Sequence, residues 1–128
     1  MSSAHPFDIL NGHNFMSLTT YRKNGQPVPT PVWFARDGDR LVMLTQRESG
    51  KVKRISHTPR VTIAPCTARG DVLGPSAEAV ARLLEPSEYP AAIQILNRKY
   101  GLQKRLFELM LQLRGRANMV VYLELRPA

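Results

Sequence analysis

Residues 27–33 read PVPTPVW, so proline takes every second position of an otherwise apolar, β-prone run. Valine, threonine and tryptophan favour a pleated strand, but proline has no N–H to give to a ladder. Such a strand must lie at a sheet edge through its first half, or hold its prolines at non-bonding positions. Its neighbours make it part of a meander. NFMSLTTY (14–21) is a β-prone run, and in RKNGQ (22–26) the pair Asn24-Gly25 is expected to supply the two positive-φ residues of a tight hairpin turn. DGDR (37–40) turns the chain again, and LVMLTQ (41–46) reads as a third strand.

The next segment changes character. In SGKVKRISH (49–57), Ser49 is placed to cap a short helix, with Val52 and Ile55 facing inward while Lys51, Lys53 and Arg54 stay in water. RVTIAPCT (60–67) reads as a strand, ARGDVLGP (68–75) as a loop, and SAEAVARLL (76–84) as a strand by its context. Glu85-Pro86-Ser87 opens a helical region in which Ser87 is expected to cap a helix with Ala92, Ile93, Leu96 and Tyr100 on one face, ending at Gly101. A second helix is expected over Leu102–Leu113, then a closing strand in ANMVVYLELR (117–126). The pattern predicts a mainly β, α+β domain over residues 1–128: a small antiparallel barrel of about six strands. A short helix follows the third strand, a helical pair precedes the last, and residues 1–13 form a flexible or helical N-terminal segment.

Charge narrows the partners. Eighteen Lys and Arg against ten Asp and Glu leave a net +8, which favours a polyanion such as nucleic acid, an anionic membrane surface or a phosphorylated cofactor. The cations gather at Lys51, Lys53 and Arg54, at Arg98 and Lys99, and at Lys104, Arg105, Arg114 and Arg116. Nucleic-acid binding would add aromatic platforms beside them, and the nearest, Tyr100 and Phe107, are better explained as core, so nucleic acid is disfavoured. The single cysteine excludes an internal disulfide and any zinc site of several thiolates. No apolar run approaches the roughly 20 residues of a membrane span. MSSAHPFDIL lacks the features of a secretory signal, so a cytoplasmic protein is expected.

Side-chain chemistry is sparse. Cys66 reads as a packed residue, His5, His13 and His57 lack metal-ligand spacing, and Asp37 and Asp39 fit a hairpin turn. No catalytic residue and no metal site is assigned, so a cofactor must bring any chemistry. SGKVKR is the best functional segment, because a helix start with a glycine and three cations suits an anion. A solvated basic face is the plain alternative. Trp33 is either a core anchor or one wall of a ring-binding slot.

PTPVWF (29–34), TQRESGKVKRI (45–55), PRVTIAPCTARGDVLGP (59–75), KYGLQKRLFELMLQLRGR (99–116) and the terminal VVYLELRP, taken in that order, resemble the flavin/deazaflavin oxidoreductases. More closely, the chain resembles their pyridoxamine-phosphate-oxidase-like, coenzyme F420-using B-type branch, over roughly residues 15–127. The resemblance implies an FMN-binding-type split β-barrel and a homodimer with cofactor sites at the subunit interface. It implies an oxidoreductase passing a hydride between coenzyme F420 (alternatively FMN) and a small electron-poor conjugated substrate. A non-catalytic cofactor-binding protein of the same fold is the other alternative. By the same resemblance the ring lies at Thr30, Pro31, Val32 and Trp33. The phosphate and ribityl groups lie at Thr45, Ser49, Gly50, Lys51, Val52, Lys53 and Arg54, and Pro65, Cys66 and Arg69 form a wall of the partner subunit. Lys99, Lys104, Arg105, Arg114 or Arg116 would attract the cofactor's oligoglutamate tail. Ser76 and Ala79 stand where relatives carry an aromatic and a glycine, which would reshape the substrate side.

Overall fold

The computed structural model describes residues 4–100 and 120–128. The expected second helix, Gly101, Lys104, Arg105, Arg114, Arg116 and the first residues of the expected last strand lie outside the described residues. The strands are β1 (Phe15–Tyr21), β2 (Pro27–Trp33), β3 (Ala35–Asp37), β4 (Arg40–Gln46), β5 (Arg60–Cys66), β6 (Ala77–Leu83) and β7 (Val120–Pro127). Helix α1 (Gly50–His57) joins β4 to β5, and α2 (Tyr89–Tyr100) follows β6.

All described pairings are antiparallel, in the order β2-β1-β5-β6-β7-β4-β3. The two outermost strands, β2 and β3, are separated only by Phe34. One bent segment therefore supplies both edges, and the sheet must curl to bring them together. Counted that way, the strands make the small six-segment antiparallel barrel that the sequence predicts.

The prolines satisfy both of the conditions read from the sequence. The Arg22 N–H donates to the Gln26 carbonyl at 2.9 Å, so this pair is a bonded one. Along the register Tyr21↔Pro27, Thr20↔Val28, Thr19↔Pro29, Leu18↔Thr30 and Ser17↔Pro31, bonded and non-bonded pairs must alternate. Val28 and Thr30 therefore bond to β1. Pro27, Pro29 and Pro31 turn their nitrogens to the outer edge, where no described strand pairs.

Two expectations are corrected. Asn24 does not share the positive φ of Gly25 (+89°). The Gly25 N–H closes a turn onto the Arg22 carbonyl at 2.8 Å, and only the glycine need be left-handed to form the bulge that follows. Asn24 contributes its Oδ1, which accepts from the Gln26 N–H at 3.0 Å. Ser87 is likewise not the cap, because a 3-10 turn over Pro86–Glu88 starts the helical region at Glu85, whose N–H donates to the Glu88 carboxylate at 2.8 Å. Proline at the first position of that turn loses no helical bond.

The barrel interior is filled by Met16, Leu18, Phe34, Leu41, Met43, Val61, Ile63, Leu123 and Leu125. Val52 and Ile55 of α1 enter this core, as do Phe7 and Leu10 of a 3-10 turn over Pro6–Leu10. Ala79 is fully buried among them, so it faces the barrel interior and reshapes no surface pocket. On the outer side α2 packs Ala92, Ile95 and Leu96 against Val42, Val120 and Tyr122.

Polar contacts tie the N-terminal turn down. Arg36 donates to Asp8 Oδ1 at 2.7 Å and to Asn11 Oδ1 at 2.9 Å. From α2, the Lys99 ammonium donates to the His13 carbonyl at 2.8 Å and lies 3.5 Å from the centroid of the Phe34 ring. Burial pushes its pKa down from 10.5 to about 8. Between those values the unfolded chain binds more protons than the folded one, so this lysine makes stability rise as pH climbs from about 8 toward 10.5. Thermal melts of wild type and Lys99→Met across that window should show the wild type gaining relative to the variant as pH rises. A difference in Tm that stays constant with pH would contradict this.

Candidate anion groove at the end of the barrel

Helix α1 reaches its place by short connections. Its last residue, His57, is followed by Thr58, Pro59 and then β5, and β5 pairs antiparallel with β1 through Thr19↔Thr62. The end of β1 and the β1–β2 turn must therefore lie beside α1. With Val52 and Ile55 buried, the opposite face presents Gly50, Lys53, Arg54 and His57 at helical spacing. These four residues and the turn residues Arg22 and Lys23 line a groove of about 290 Å³.

No carboxylate lines this groove. The arginines of the sheet strands are paired: Arg36 with Asp8, Arg60 with Glu78, Arg82 with Glu88, and Arg40 and Arg126 with Glu124. Burial raises the pKa of Glu124, but the hydrogen bonds from Arg40 and Arg126 prevail and hold the carboxyl below its ordinary value. In contrast, Arg22, Lys23, Lys51, Lys53 and Arg54 make no ion pair with any described residue. Among the described residues, the strand arginines are thus neutralised, while five cations on or beside α1 and the β1–β2 turn are not.

Within the cluster, the Arg54 Nε donates to the hydroxyl of the buried Thr20 at 2.5 Å. Its guanidinium lies over the bare Cα of Gly50, where an added Cβ would stand 2.6 Å from Nη1. Lys51 is held below its ordinary pKa by burial and by the Arg54 charge. The Thr45 hydroxyl donates to the Ser49 Oγ at 3.5 Å. Ser49 precedes α1 as its cap residue, but its side chain makes no bond to the helix backbone.

The candidate residues fall into two groups. Gly50, Lys53 and Arg54 line the groove, with Thr45, Ser49 and Lys51 close in sequence to its helix. The Val52 side chain is committed to the core and can offer a ligand only backbone. Thr30, Pro31, Val32, Trp33, Pro65, Cys66 and Arg69 lie toward the other end of the strands. A step of six residues along β2 or β5 spans about 20 Å. Val32 is buried, Thr30 is half-buried and Pro31 is exposed. Trp33 meets Phe15 edge-on, with ring centroids 6.0 Å apart. Pro65 and Cys66 are buried, Arg69 is exposed, and burial pushes the Cys66 thiol up. The loop after β5 comes close to β2, since a Cβ on Gly70 would lie 3.7 Å from Pro31 Cδ. Lys99, proposed from sequence for a cofactor tail, is instead engaged with His13 and Phe34.

Sequence reasoning missed Arg22, Lys23, His57 and Thr20. Two adjacent cations ahead of Asn24-Gly25 were a visible signal, but only strand pairing shows that they face α1.

A profile described as pyridoxamine 5'-phosphate oxidase matches residues 6–127. No curated protein matches the sequence. Among solved structures, one titled F420 reductase is 19% identical with a TM-score of 0.60, covering 100% of this chain and 96% of its own. A FAD-binding protein of Mesorhizobium loti is 13% identical with a TM-score of 0.69, covering 100% and 91%. HutZ, the heme storage protein of Vibrio cholerae, is 14% identical with a TM-score of 0.68, covering 94% and 86%. At such identities the likeness establishes the fold, and the three names differ in what they bind.

Gly50 separates folding from binding. In Gly50→Ala the new Cβ must push the Arg54 guanidinium aside, which is easy for the end of a flexible side chain, while alanine favours the helix by up to about 1 kcal/mol. The variant should melt no lower than wild type, yet bind inorganic phosphate several-fold more weakly in a chemical-shift titration. Unchanged phosphate binding would show that Arg54 does not shape the groove.

Proposed function

Because the chain belongs to the pyridoxamine 5'-phosphate oxidase family, we propose that it is an oxidoreductase that binds coenzyme F420 and serves a small electron-poor conjugated substrate. The observation that carries this reading is the groove at α1, which no described carboxylate lines, set at one end of a β2 edge that no described strand pairs. Over Pro27–Pro31 that edge offers carbonyl oxygens and no N–H, so it suits a flat heterocycle with its own N–H donors. The residues present fit the cofactor class: cations without an ion pair among the described residues for its phosphate, a bare glycine Cα beside them, and an acceptor edge for its ring.

When bound, the deazaflavin supplies a hydride to the substrate. Lys53 and Arg54 fix the phosphate by charge, and the Thr20 hydroxyl sets the plane of the Arg54 guanidinium. The β2 carbonyls orient the ring, and Trp33 and the loop near Gly70 limit water on that side. Among nearby proton donors, Lys51 is the readiest, because burial and the Arg54 charge loosen its proton. The Tyr21 hydroxyl is held in a 2.6 Å hydrogen bond with Thr62 Oγ1.

The reading includes a homodimer. No described strand pairs with the outer edge of β2, and Val72, Leu73 and Val80 are exposed apolar side chains that a second copy can cover, bringing its Pro65, Cys66 and Arg69 to the cofactor.

Trp33 is the only tryptophan, so its fluorescence reports on one place. Titration with coenzyme F420 should quench it saturably at micromolar concentration, with FMN and FAD weaker. Lys53→Ala combined with Arg54→Ala should weaken F420 binding at least about tenfold. The reduced cofactor should then be oxidised by enones or quinones in the presence of the protein. Preference for FMN or FAD would keep the groove and replace the cofactor, binding without turnover would make the protein a carrier, and binding of hemin alone would overturn the reading.

A further inference from the structure

The groove holds more positive charge than one phosphate can balance. Arg22, Lys23, Lys53 and Arg54 are four cations, with His57 beside them, whereas a phosphate monoester carries roughly −1.5 to −2 and a diester −1. The cations come from two elements. Lys53 and Arg54 stand on α1, while Arg22 and Lys23 stand on the β1–β2 turn, whose backbone is pinned by the Arg22–Gln26 and Gly25–Arg22 bonds. The turn itself, Arg22 to Gln26, contains no acid. It also forms part of the wall of a neighbouring depression of about 510 Å³ lined by Tyr21, Arg22, Lys23, Gly25, Thr58, Arg60 and Glu78. The acid there is spoken for, because both carboxylate oxygens of Glu78 accept from the Arg60 guanidinium. Arg22 and Lys23 thus sit between two depressions, one without a carboxylate and the other with its one carboxylate already paired to Arg60.

We propose that Arg22 and Lys23 form a second anion subsite, distinct from that of Lys53 and Arg54, so that the groove selects ligands carrying at least two spaced negative groups. This deepens the reading of α1 as a phosphate cradle and rests on it. The second group is a further phosphate, as in a dinucleotide diphosphate, or a carboxylate attached beyond a phosphate diester. Both place anionic oxygens a few bonds from the first phosphate, the separation that two facing walls of one groove can span. A ligand with a single phosphate leaves the turn uncompensated.

The test compares wild type with Arg22→Ala combined with Lys23→Ala. Both positions are exposed, and neither side chain enters the core. Calorimetric titration with inorganic pyrophosphate and inorganic phosphate probes the groove without any cofactor. Wild type should bind pyrophosphate about tenfold more tightly than phosphate. The double variant should lose about tenfold for pyrophosphate and less than about twofold for phosphate. Equal losses for both probes, no loss for either, or no binding of either by wild type would overturn the proposal. Repeating the comparison with FMN, FAD and coenzyme F420 separates the sources: a loss confined to FAD assigns the diphosphate, and one confined to F420 assigns the carboxylates. If wild type binds none of the three cofactors while the pyrophosphate contrast holds, the two-anion subsite stands and the cofactor reading falls.

Discussion

One bent segment, Pro27–Asp37, forms both outer strands of the sheet, and its two halves face opposite demands. The second half must bond to β4 through Ala35↔Val42 and Asp37↔Arg40. The first must bond to β1 on one side, and no described strand pairs with its other side. Alternating proline meets the second demand at little cost to the first, since proline nitrogens fall only where no ladder bond is due. A strand with ordinary residues there would show alternating donors and acceptors, an open template for any passing strand. The proline edge shows acceptors only, so a ligand or partner that brings its own donors is preferred over a generic strand.

The same closure positions the charged groove. Because β5 starts directly after α1 and runs back along β1, the helix is held over the end of the barrel by Val52 and Ile55. Its polar face then has nowhere to point except toward the β1–β2 turn. Two basic stretches that are far apart in the chain become opposite walls. The folded core thereby holds like charges together without a counter-charge, while the sheet surface beyond the groove neutralises its arginines with Glu124, Glu88, Glu78 and Asp8.

Much of this was legible beforehand, and the failures have physical causes. The three-strand meander, α1, β5, β6 and the start of the helical region follow from local signals: turn glycines, apolar spacing and proline punctuation. The capping errors arose where two residues competed for one role. Pro86 can begin a 3-10 turn one step ahead of Ser87, and Glu88 then reaches back to the Glu85 N–H. Asn24 was given a backbone role because Asn-Gly often fills both left-handed positions, but its side chain found the Gln26 N–H instead. Lys53 and Arg54 could be read as an anion site from the helix start, its glycine and the clustered cations, and from the family resemblance. Arg22 and Lys23 could not, because their significance comes from pairing across β1 and β5, a contact that no local pattern encodes. Lys99 shows the reverse error: a cation that looked available for a ligand is spent on a carbonyl and an aromatic ring.

An uncompensated cationic cluster works against folding, through mutual repulsion that solvent and salt only partly screen. Lys51 registers that repulsion directly, since the Arg54 charge helps to hold its pKa down. The strands pair their arginines with acids, yet Glu48, next to α1, is exposed and paired with none of these cations. A local rule that the strands obey and one clustered site breaks points to function. An anion in the groove would supply the missing counter-charge, restore the lysine's affinity for its proton and stabilise the fold by an amount that grows with the logarithm of its concentration above Kd. Binding and stability are then one equilibrium, with the empty groove as its less stable end.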